Sequence, residues 1–290
     1  MSVVSQIENQ VRVWVNGRLY ADGQAALSPL DHGVTVGDGV FETVKVVAGR
    51  LFAPTRHARR LDRSLAGLGL PPADHGVIAD GVAAVLAEGE PIEFGRLRYT
   101  VTGGPGPLGS DRVSHDSSGL TYVVAAVAQP RPPASGAVAV VPWTRNERAA
   151  TAGLKTTSYA DNAIALAYAR ERGALEAVFA NTRGELCEGT GSNVFVVVDG
   201  TILTPPPSSG LLEGVTRALT IEWSRAAGIP VEERALPIDI LATADEVFIT
   251  STTRDVLAVH AVDDRRLEPG PVTAQAAKVF AARSADDLDP

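Results

Sequence analysis

The chain has 290 residues, with 34 acidic and 26 basic side chains and a formal net charge of −8. This acidic balance, without any run of Lys and Arg, argues against binding to nucleic acid or to anionic membranes. The length is typical of about two domains, no stretch approaches the roughly 18 apolar residues of a membrane helix, and a single cysteine excludes an internal disulfide.

Residues 1–128 are predicted to form a small N-terminal α/β domain. Apolar and polar residues that alternate predict strands, and leucines at helical spacing before a glycine predict a helix. Asn16-Gly17 predicts a tight hairpin turn. The strands are expected at Val11–Val15, Arg18–Tyr20, Val40–Val47, Arg50–Phe52, Leu97–Thr102 and Leu120–Ala128, and the helices at Thr55–Gly69 and Gly76–Glu88.

A proline-rich segment predicts an interdomain linker at residues 129–136, because proline holds the backbone extended and removes hydrogen-bond donors. Residues 137–290 are predicted to form a larger C-terminal domain. Its strands are expected at Val138–Val141, Glu176–Ala180, Val194–Val198, Thr201–Leu203, Val231–Arg234, Glu246–Thr250 and Val256–Val262, and its helices at Tyr159–Arg172, Gly214–Ala227 and Val272–Ala282. The acidic tail, residues 286–290, is expected to be frayed.

The order of these elements predicts the fold class. Strands and helices mix without a regular βαβ rhythm, which disfavours a doubly wound sheet and predicts an α+β fold. The glycines at residues 37–39 and 103–106 lack the third glycine of a dinucleotide-binding motif, and no GK[ST] sequence occurs, so we interpret them as turns. The five histidines lack the spacing of metal ligands, and no metal site is predicted.

Two segments of the C-terminal domain suit an anion. Gly214-Val215-Thr216 begins an amphipathic helix, where free amides and the helix dipole favour a phosphate. Ser251-Thr252-Thr253 follows a predicted strand and offers hydroxyls and amides. Each segment alone is more often ordinary capping or turn chemistry, whereas together they could bind a phosphorylated cofactor.

Three further side chains could carry chemistry, and each also has a plainer explanation. Lys155 is one of only three lysines and is flanked by small and hydroxylated residues, although a surface loop lysine would look similar. Glu188 precedes an apolar strand, where its carboxylate could bind a heterocyclic nitrogen or lie in a solvated turn. Arg60 lies in a predicted helix, where a surface charge is the simplest explanation.

Six blocks in chain order resemble the class IV, fold-type IV enzymes that use pyridoxal 5′-phosphate (PLP). The blocks are GDGVFE at Gly37–Glu42, HARRL at His57–Leu61, LKTTSY at Leu154–Tyr159, LCEGTGSNVF at Leu186–Phe195, LLEGVTR at Leu211–Arg217 and DEVFITSTT at Asp245–Thr253. The family includes branched-chain and D-amino-acid aminotransferases, (R)-selective amine transaminases and aminodeoxychorismate lyase. The resemblance extends from Val13 to Val262 and implies a two-domain enzyme with a C-terminal pseudo-barrel.

The resemblance also implies roles for individual residues. Lys155 would form a Schiff base with PLP and move the proton between the substrate Cα and the cofactor C4′. Glu188 would pair with the pyridine nitrogen and keep it protonated, Tyr159 would hydrogen-bond the phenolic oxygen, and Asn193 would support the cofactor loop. The residues implied to hold the phosphate are Arg60, Val215, Thr216, Ser251 and Thr252.

The substrate is less clearly indicated. D-amino-acid aminotransferases have an arginine in a VTRG-type sequence, and this chain has Val-Thr-Gly-Gly at residues 101–104. Branched-chain enzymes have a Tyr-x-Arg pair on the preceding strand, of which this chain keeps Arg98 and replaces the tyrosine with Arg96. Phe41, Arg98 and the backbone amide of Thr253 are the implied substrate contacts.

Two reactions and one inactive form agree with these residues. An aminotransferase would move an amino group from an amino acid or amine to a 2-oxo acid, whereas a lyase would release pyruvate and 4-aminobenzoate from 4-amino-4-deoxychorismate. A non-catalytic relative would retain only the fold. The aminotransferase is the prediction that we favour.

The resemblance and the N-terminal sequence predict the assembly and the location. Members of the family assemble as dimers, so a homodimer is expected. Residues Met1–Gln10 have neither the basic nor the apolar region of an export signal, so a cytoplasmic protein is expected.

Overall fold

The computed structural model describes residues 11–21, 24–113 and 116–290. Residues 1–10, where the sequence predicts no export signal, lie outside the described residues. The chain divides into two compact units, one of Met1–Arg131, Leu154–Ser158 and Leu288–Pro290, and the other of Pro132–Gly153 and Tyr159–Asp287. No helix of the described residues is both long enough and apolar enough to span a membrane.

The first unit contains one antiparallel sheet and its helices. Its strands are β1 (Arg12–Val15), β2 (Arg18–Tyr20), β3 (Gly39–Val47), β4 (Arg50–Leu51), β5 (Phe94–Thr102) and β6 (Thr121–Ala128). The helices are α1 (His32–Thr35), α2 (Pro54–Leu68) and α3 (His75–Ala87). The strands lie in the order β2-β1-β6-β5-β3-β4 among the described residues.

Strand alternation explains why one face of this sheet is covered. Val40, Val44 and Val46 of β3 and Leu97 of β5 share one face, and all are completely buried. They pack with leucines of α2 into the hydrophobic core of the unit. The positive φ angles of Asn16 and Gly17 confirm the tight turn predicted between β1 and β2.

The second unit contains the remaining strands and three longer helices. Its strands are β7 (Ser135–Arg145), β8 (Glu176–Asn181), β9 (Leu186–Gly189), β10 (Asn193–Val198), β11 (Thr201–Thr204), β12 (Val231–Glu233), β13 (Glu246–Ser251), β14 (Asp255–Val262) and β15 (Arg265–Arg266). The helices are α4 (Ala160–Glu171), α5 (Val215–Ala226) and α6 (Pro271–Asp286).

The strands of the second unit close into a barrel. Among the described residues, neighbouring strands pair in the order β10-β13-β14-β7-β8-β9, and β9 pairs again with β10. This closed ring removes the free edges of those strands. The mixed helices and sheets confirm the α+β prediction, and the ring confirms the pseudo-barrel.

The predictions for the linker and for the C-terminal tail differ from the structure. Ser135 and Gly136, placed in the predicted linker, belong to β7 and pair with Ala258 and Val259 of β14. The predicted fraying of the acidic tail is wrong for its last three residues. The Leu288 carbonyl accepts from the backbone of residue 53 at 2.6 Å, and the Asp289 carboxylate accepts from the Thr55 backbone at 3.0 Å, so these residues cap the start of α2.

Candidate active site

Lys155 lies in a short segment that pairs with β3. The Phe41 N–H donates to the Lys155 carbonyl at 3.0 Å, and the Thr157 N–H donates to the Gly39 carbonyl at 2.8 Å. The Lys155 N–H donates to the buried Ser64 hydroxyl of α2 at 3.1 Å. The backbone of Lys155 is therefore attached both to a central strand and to a helix.

The side chain of Lys155 is largely removed from water. The residue is only 9% exposed, and its ammonium lies 4.4 Å from the centre of the Phe41 ring. The Phe41 ring also contacts Arg98, whose guanidinium lies 3.7 Å from the ring centre. The structure thus brings together the predicted catalytic lysine and two of the three predicted substrate residues.

Arg98 lies on the face of the sheet opposite the core. Its Nε donates to the Thr100 hydroxyl at 3.2 Å, two residues along β5. Arg96 lies two residues the other way along β5, on the same face. This face carries two cationic side chains next to an aromatic ring.

The other face of β3 carries a buried ionic cluster. The Glu42 carboxylate accepts from Arg60 Nε at 2.7 Å and Nη2 at 2.6 Å, and His57 Nδ1 lies 2.7 Å from Glu42 Oε2. Burial would raise the pKa of Glu42, but the Arg60 charge and the hydrogen bonds of Arg60 and His57 lower that pKa to about 2. Burial lowers the pKa of His57 despite the neighbouring carboxylate. The cluster therefore holds a carboxylate, a guanidinium and a neutral imidazole.

In the second unit, sheet register brings three polar residues into one row. Asn193 of β10 pairs with Glu188 of β9 on one side and with Thr250 of β13 on the other. Residues directly opposite each other in an antiparallel pair point to the same face. The Thr250 hydroxyl is buried and has no hydrogen-bond partner among the described residues.

The start of α5 lies against this row. Asn193 Nδ2 donates to the Leu212 carbonyl at 2.8 Å, and the Leu212 N–H donates to Glu188 at 2.9 Å. A Cβ at Gly214 would lie 2.1 Å from Asn193 Oδ1, so this close approach requires glycine. Gly214 is also the N-cap of this 12-residue helix and has no side chain to cap the first amides.

The remaining predicted cofactor residues lie at element ends. Val215 and Thr216 occupy the first turn of α5, and both are buried. Ser251 ends β13, and Thr252 and Thr253 form the turn into β14. Tyr159 is the N-cap residue of α4 and is half-buried. The contacts that the sequence predicts between these residues and PLP stay predictions.

Arg145 is a member of this site that the sequence analysis missed. Its Nε lies 3.4 Å from Glu188 Oε1, and its guanidinium lies 4.2 Å from the centre of the Phe179 ring. The sequence predicts that the strand ends at Val141, whereas β7 continues to Arg145. The Leu212 N–H therefore orients the Glu188 carboxylate by a hydrogen bond, and Arg145 places a positive charge beside it.

Comparison with known proteins gives the family. Residues 39–262 match the family described as amino-transferase class IV. The chain belongs to the class IV aminotransferases. It is 32% identical to the D-alanine aminotransferase of Bacillus licheniformis over 275 residues, which cover 91% of this chain and 93% of that protein.

Solved structures of class IV aminotransferases have the same fold. A branched-chain aminotransferase from Thermoproteus uzoniensis, crystallised with norvaline, superposes with a TM-score of 0.79 at 30% identity, covering 94% of each chain. A fold IV transaminase from Curtobacterium pusillum superposes with a TM-score of 0.78 at 26% identity, covering 94% of this chain and 98% of that one. The family, the fold type and the prediction that the chain is an enzyme are confirmed.

Proposed function

We propose that this class IV aminotransferase moves an amino group between an amino acid or amine and a 2-oxo acid, with Lys155 as the catalytic residue. The observation that carries the proposal is the placement of Lys155, a buried lysine on a segment attached to both β3 and α2. A fixed, water-excluded amine is what a lysine needs to act on a substrate carbon.

Each unit offers groups that suit PLP. The first offers a buried lysine amine. The second offers a carboxylate beside Arg145, the uncapped backbone amides of α5 and a buried threonine hydroxyl without a partner among the described residues. Class IV aminotransferases use this cofactor. When bound, PLP supplies an electron-withdrawing ring that makes the substrate Cα proton acidic.

Each residue of the chain then has a specific task. Lys155 Nζ would take the Cα proton and return it to the cofactor side. Glu188 would bind the protonated pyridine nitrogen, and Tyr159 would donate to the phenolic oxygen. Asn193 would hold Leu212 and Glu188 in place. The phosphate would bind Arg60, the first turn of α5 at Val215 and Thr216, and the Ser251-Thr252 turn.

Substrate recognition is proposed for Phe41, Arg98 and Thr253. Arg98 is suited to a carboxylate, since its guanidinium contacts the Phe41 ring and its Nε is positioned by the Thr100 hydroxyl. Thr253 would offer its backbone amide. These contacts would suit the carboxylate that L- and D-amino acids both carry.

The experiment that tests this function is a half-reaction screen. Single L- and D-amino acids and amines are added to the PLP-loaded protein, and the absorbance of the bound cofactor is recorded. At least one donor should convert it to pyridoxamine phosphate and release the matching oxo compound. If none does and 4-amino-4-deoxychorismate releases pyruvate, the enzyme is the lyase.

We also propose that the protein is a cytoplasmic homodimer. Large apolar side chains are exposed on two segments of the first unit, one that ends in α1 and the other between β5 and β6. The segments contact each other through the Gly106 N–H and the Leu30 carbonyl at 3.1 Å. These side chains are Leu27, Leu30, Val34, Leu108 and Val113. A second copy of the chain would cover this patch. Sedimentation of the wild type as a dimer and of Leu108→Asp as a monomer would support it.

A further inference from the structure

Glu176, the first residue of β8, is a buried carboxylate outside the predicted site. It is 1% exposed, and donors surround both of its oxygens. Oε1 accepts from the Ala177 and Thr190 N–H groups at 3.1 Å each and from the Thr190 hydroxyl. Oε2 accepts from the Ser192 hydroxyl at 3.1 Å and from Arg254 Nη1 at 2.7 Å.

These donors come from two segments that are far apart in the chain. Thr190 and Ser192 lie in the loop between Glu188 and Asn193, which we name the β9–β10 loop (residues 190–192). Arg254 closes the turn that follows β13, which we name the β13–β14 turn (residues 251–254), where its N–H donates to the Ser251 carbonyl at 3.2 Å. Glu176 therefore joins the segment beside the predicted ring-nitrogen ligand to the segment that carries the predicted phosphate ligands.

Packing allows the β9–β10 loop little freedom around this carboxylate. A Cβ at Gly189 would lie 2.3 Å from the Ser192 hydroxyl and 3.2 Å from Glu176 Cγ. The Gly189 N–H also donates to the Ser192 carbonyl at 2.8 Å. Glu176 therefore fixes the β9–β10 loop through its hydrogen bonds with Thr190 and Ser192. It contacts the β13–β14 turn through its hydrogen bond with Arg254.

We propose that Glu176 and Arg254 are positioning residues, which set the spacing between the β9–β10 loop and the β13–β14 turn and so match the second unit to the length of PLP. The inference rests on the proposed function, because PLP is what needs a ring-nitrogen ligand and a phosphate ligand at one fixed separation. Neither residue touches the cofactor in this proposal, and both act through their neighbours.

The chemistry of the cluster dictates the substitutions. In Glu176→Gln the amide NH₂ replaces one of the two acceptor oxygens, so either the N–H groups of Ala177 and Thr190 or the guanidinium of Arg254 lose their acceptor. Arg254→Met keeps most of the side-chain length and removes only the charged hydrogen bond. Arg254→Lys keeps a positive charge and a hydrogen-bond donor, so it should retain most of the wild-type affinity for PLP.

The test compares PLP with pyridoxal, which has the same ring without the phosphate. Dissociation constants of both are measured on apoenzyme of the wild type, Glu176→Gln, Arg254→Met and Arg254→Lys. Loss of one charged hydrogen bond should weaken PLP binding at least about tenfold in Arg254→Met and leave pyridoxal binding within about twofold. Arg254→Lys should recover most of that loss.

Glu185→Gln is the matched control. Glu185 is also bound by an arginine and by an amide, namely Arg183 at 2.7 Å and Asn181 at 2.8 Å, near the opposite end of β8. It should change neither dissociation constant. Circular dichroism and thermal melting identify variants that fail to fold, and Glu176→Gln and Arg254→Met test the same bond from its two sides.

The outcomes separate this inference from the proposed function. Equal weakening of PLP and pyridoxal in Arg254→Met would mean that the pair only stabilises the fold, and unchanged binding of both would mean that it does nothing for the cofactor. Either result overturns the inference while the wild type still binds PLP. A wild type that binds neither compound would instead overturn the proposed function.

Discussion

Glu42 in the first unit and Glu176 in the second are both inaccessible to water, yet their surroundings satisfy them differently. Glu42 is bound by two side chains of one helix, the guanidinium of Arg60 and the imidazole of His57. Glu176 is bound mostly by neutral donors, backbone amides and hydroxyls, with one arginine at the edge. One carboxylate is stabilised by charge, and the other by hydrogen bonds from loops.

This difference indicates what each region does. A buried ion pair between a strand and a helix holds α2 against β3, and the same two elements hold the backbone of Lys155. Removing half of such a pair leaves an uncompensated buried charge. A carboxylate that gathers loop donors contributes less to the core and more to loop geometry. We therefore expect substitutions in the Glu42 cluster to act mainly on stability, and substitutions near Glu176 and Glu188 in the second unit to act mainly on cofactor chemistry.

The largest expected effect is on stability, from Glu42→Gln. The substitution removes the negative charge that Arg60 Nε and Nη2 contact in the buried cluster, which should lower the free energy of unfolding by about 3–5 kcal/mol. Urea denaturation measures this loss. The control is Asp62→Asn, which breaks the exposed pair with His75 and should cost less than about 1 kcal/mol. Equal losses in both variants would contradict the role of the buried cluster.

Glu188→Gln should have the opposite profile. Glu188 is half-buried, accepts from the Leu212 N–H and lies beside Arg145. Its neutral replacement should therefore fold with an unfolding free energy within about 1 kcal/mol of the wild type. Turnover should fall roughly 100-fold, because the proposed role of Glu188 is to supply the charge that stabilises the protonated ring nitrogen of PLP. Stopped-flow measurement of the rate of amino transfer determines this loss of turnover. If Glu188→Gln lowered both stability and turnover, the proposed difference between the two regions would be contradicted.

The pH dependence of stability gives a smaller, third test of the role of the Glu42 cluster. The pKa of Glu42 is about 2 in the folded protein and 4.5 ordinarily, so its stabilisation is complete above pH 4.5 and is lost as the pH falls toward 2. The lowered pKa of His57 acts in the same direction, starting below its ordinary 6.5. Urea unfolding from neutral pH to about pH 3 should show falling stability. His57→Gln should reduce the loss of unfolding free energy between pH 6.5 and pH 4.5. A free energy of unfolding that rises on acidification would contradict the stabilising role of the cluster.

Local pattern was enough to predict most of the fold. Strand alternation predicted β3, β5 and β6 within a few residues, and the glycine after Leu68 predicted the end of α2. The alternation in β3 also indicates the buried ionic cluster. Glu42 occupies an inward position between Val40 and Val44, and a carboxylate there requires a buried partner.

The remaining features depend on contacts between residues that are distant in the chain. The Lys155 segment pairs with β3 through Phe41, more than a hundred residues away, and no local pattern shows that pairing. Asp289 caps α2 although it lies 234 positions from Thr55, and the sequence near the tail contains no sign of this contact. The sequence therefore predicted, wrongly, that the tail is frayed. Arg145 was missed because its stretch of β7 has no apolar alternation.

The central claim is that Lys155 is the residue that binds PLP. Borohydride reduction of the PLP-loaded enzyme, followed by peptide mapping, tests it directly, because the chain has only two other lysines, Lys45 and Lys278. The label should appear on the peptide that contains Lys155, and Lys155→Ala should show neither label nor turnover. Label on Lys45 or Lys278, or a labelled and active Lys155→Ala, would contradict the account.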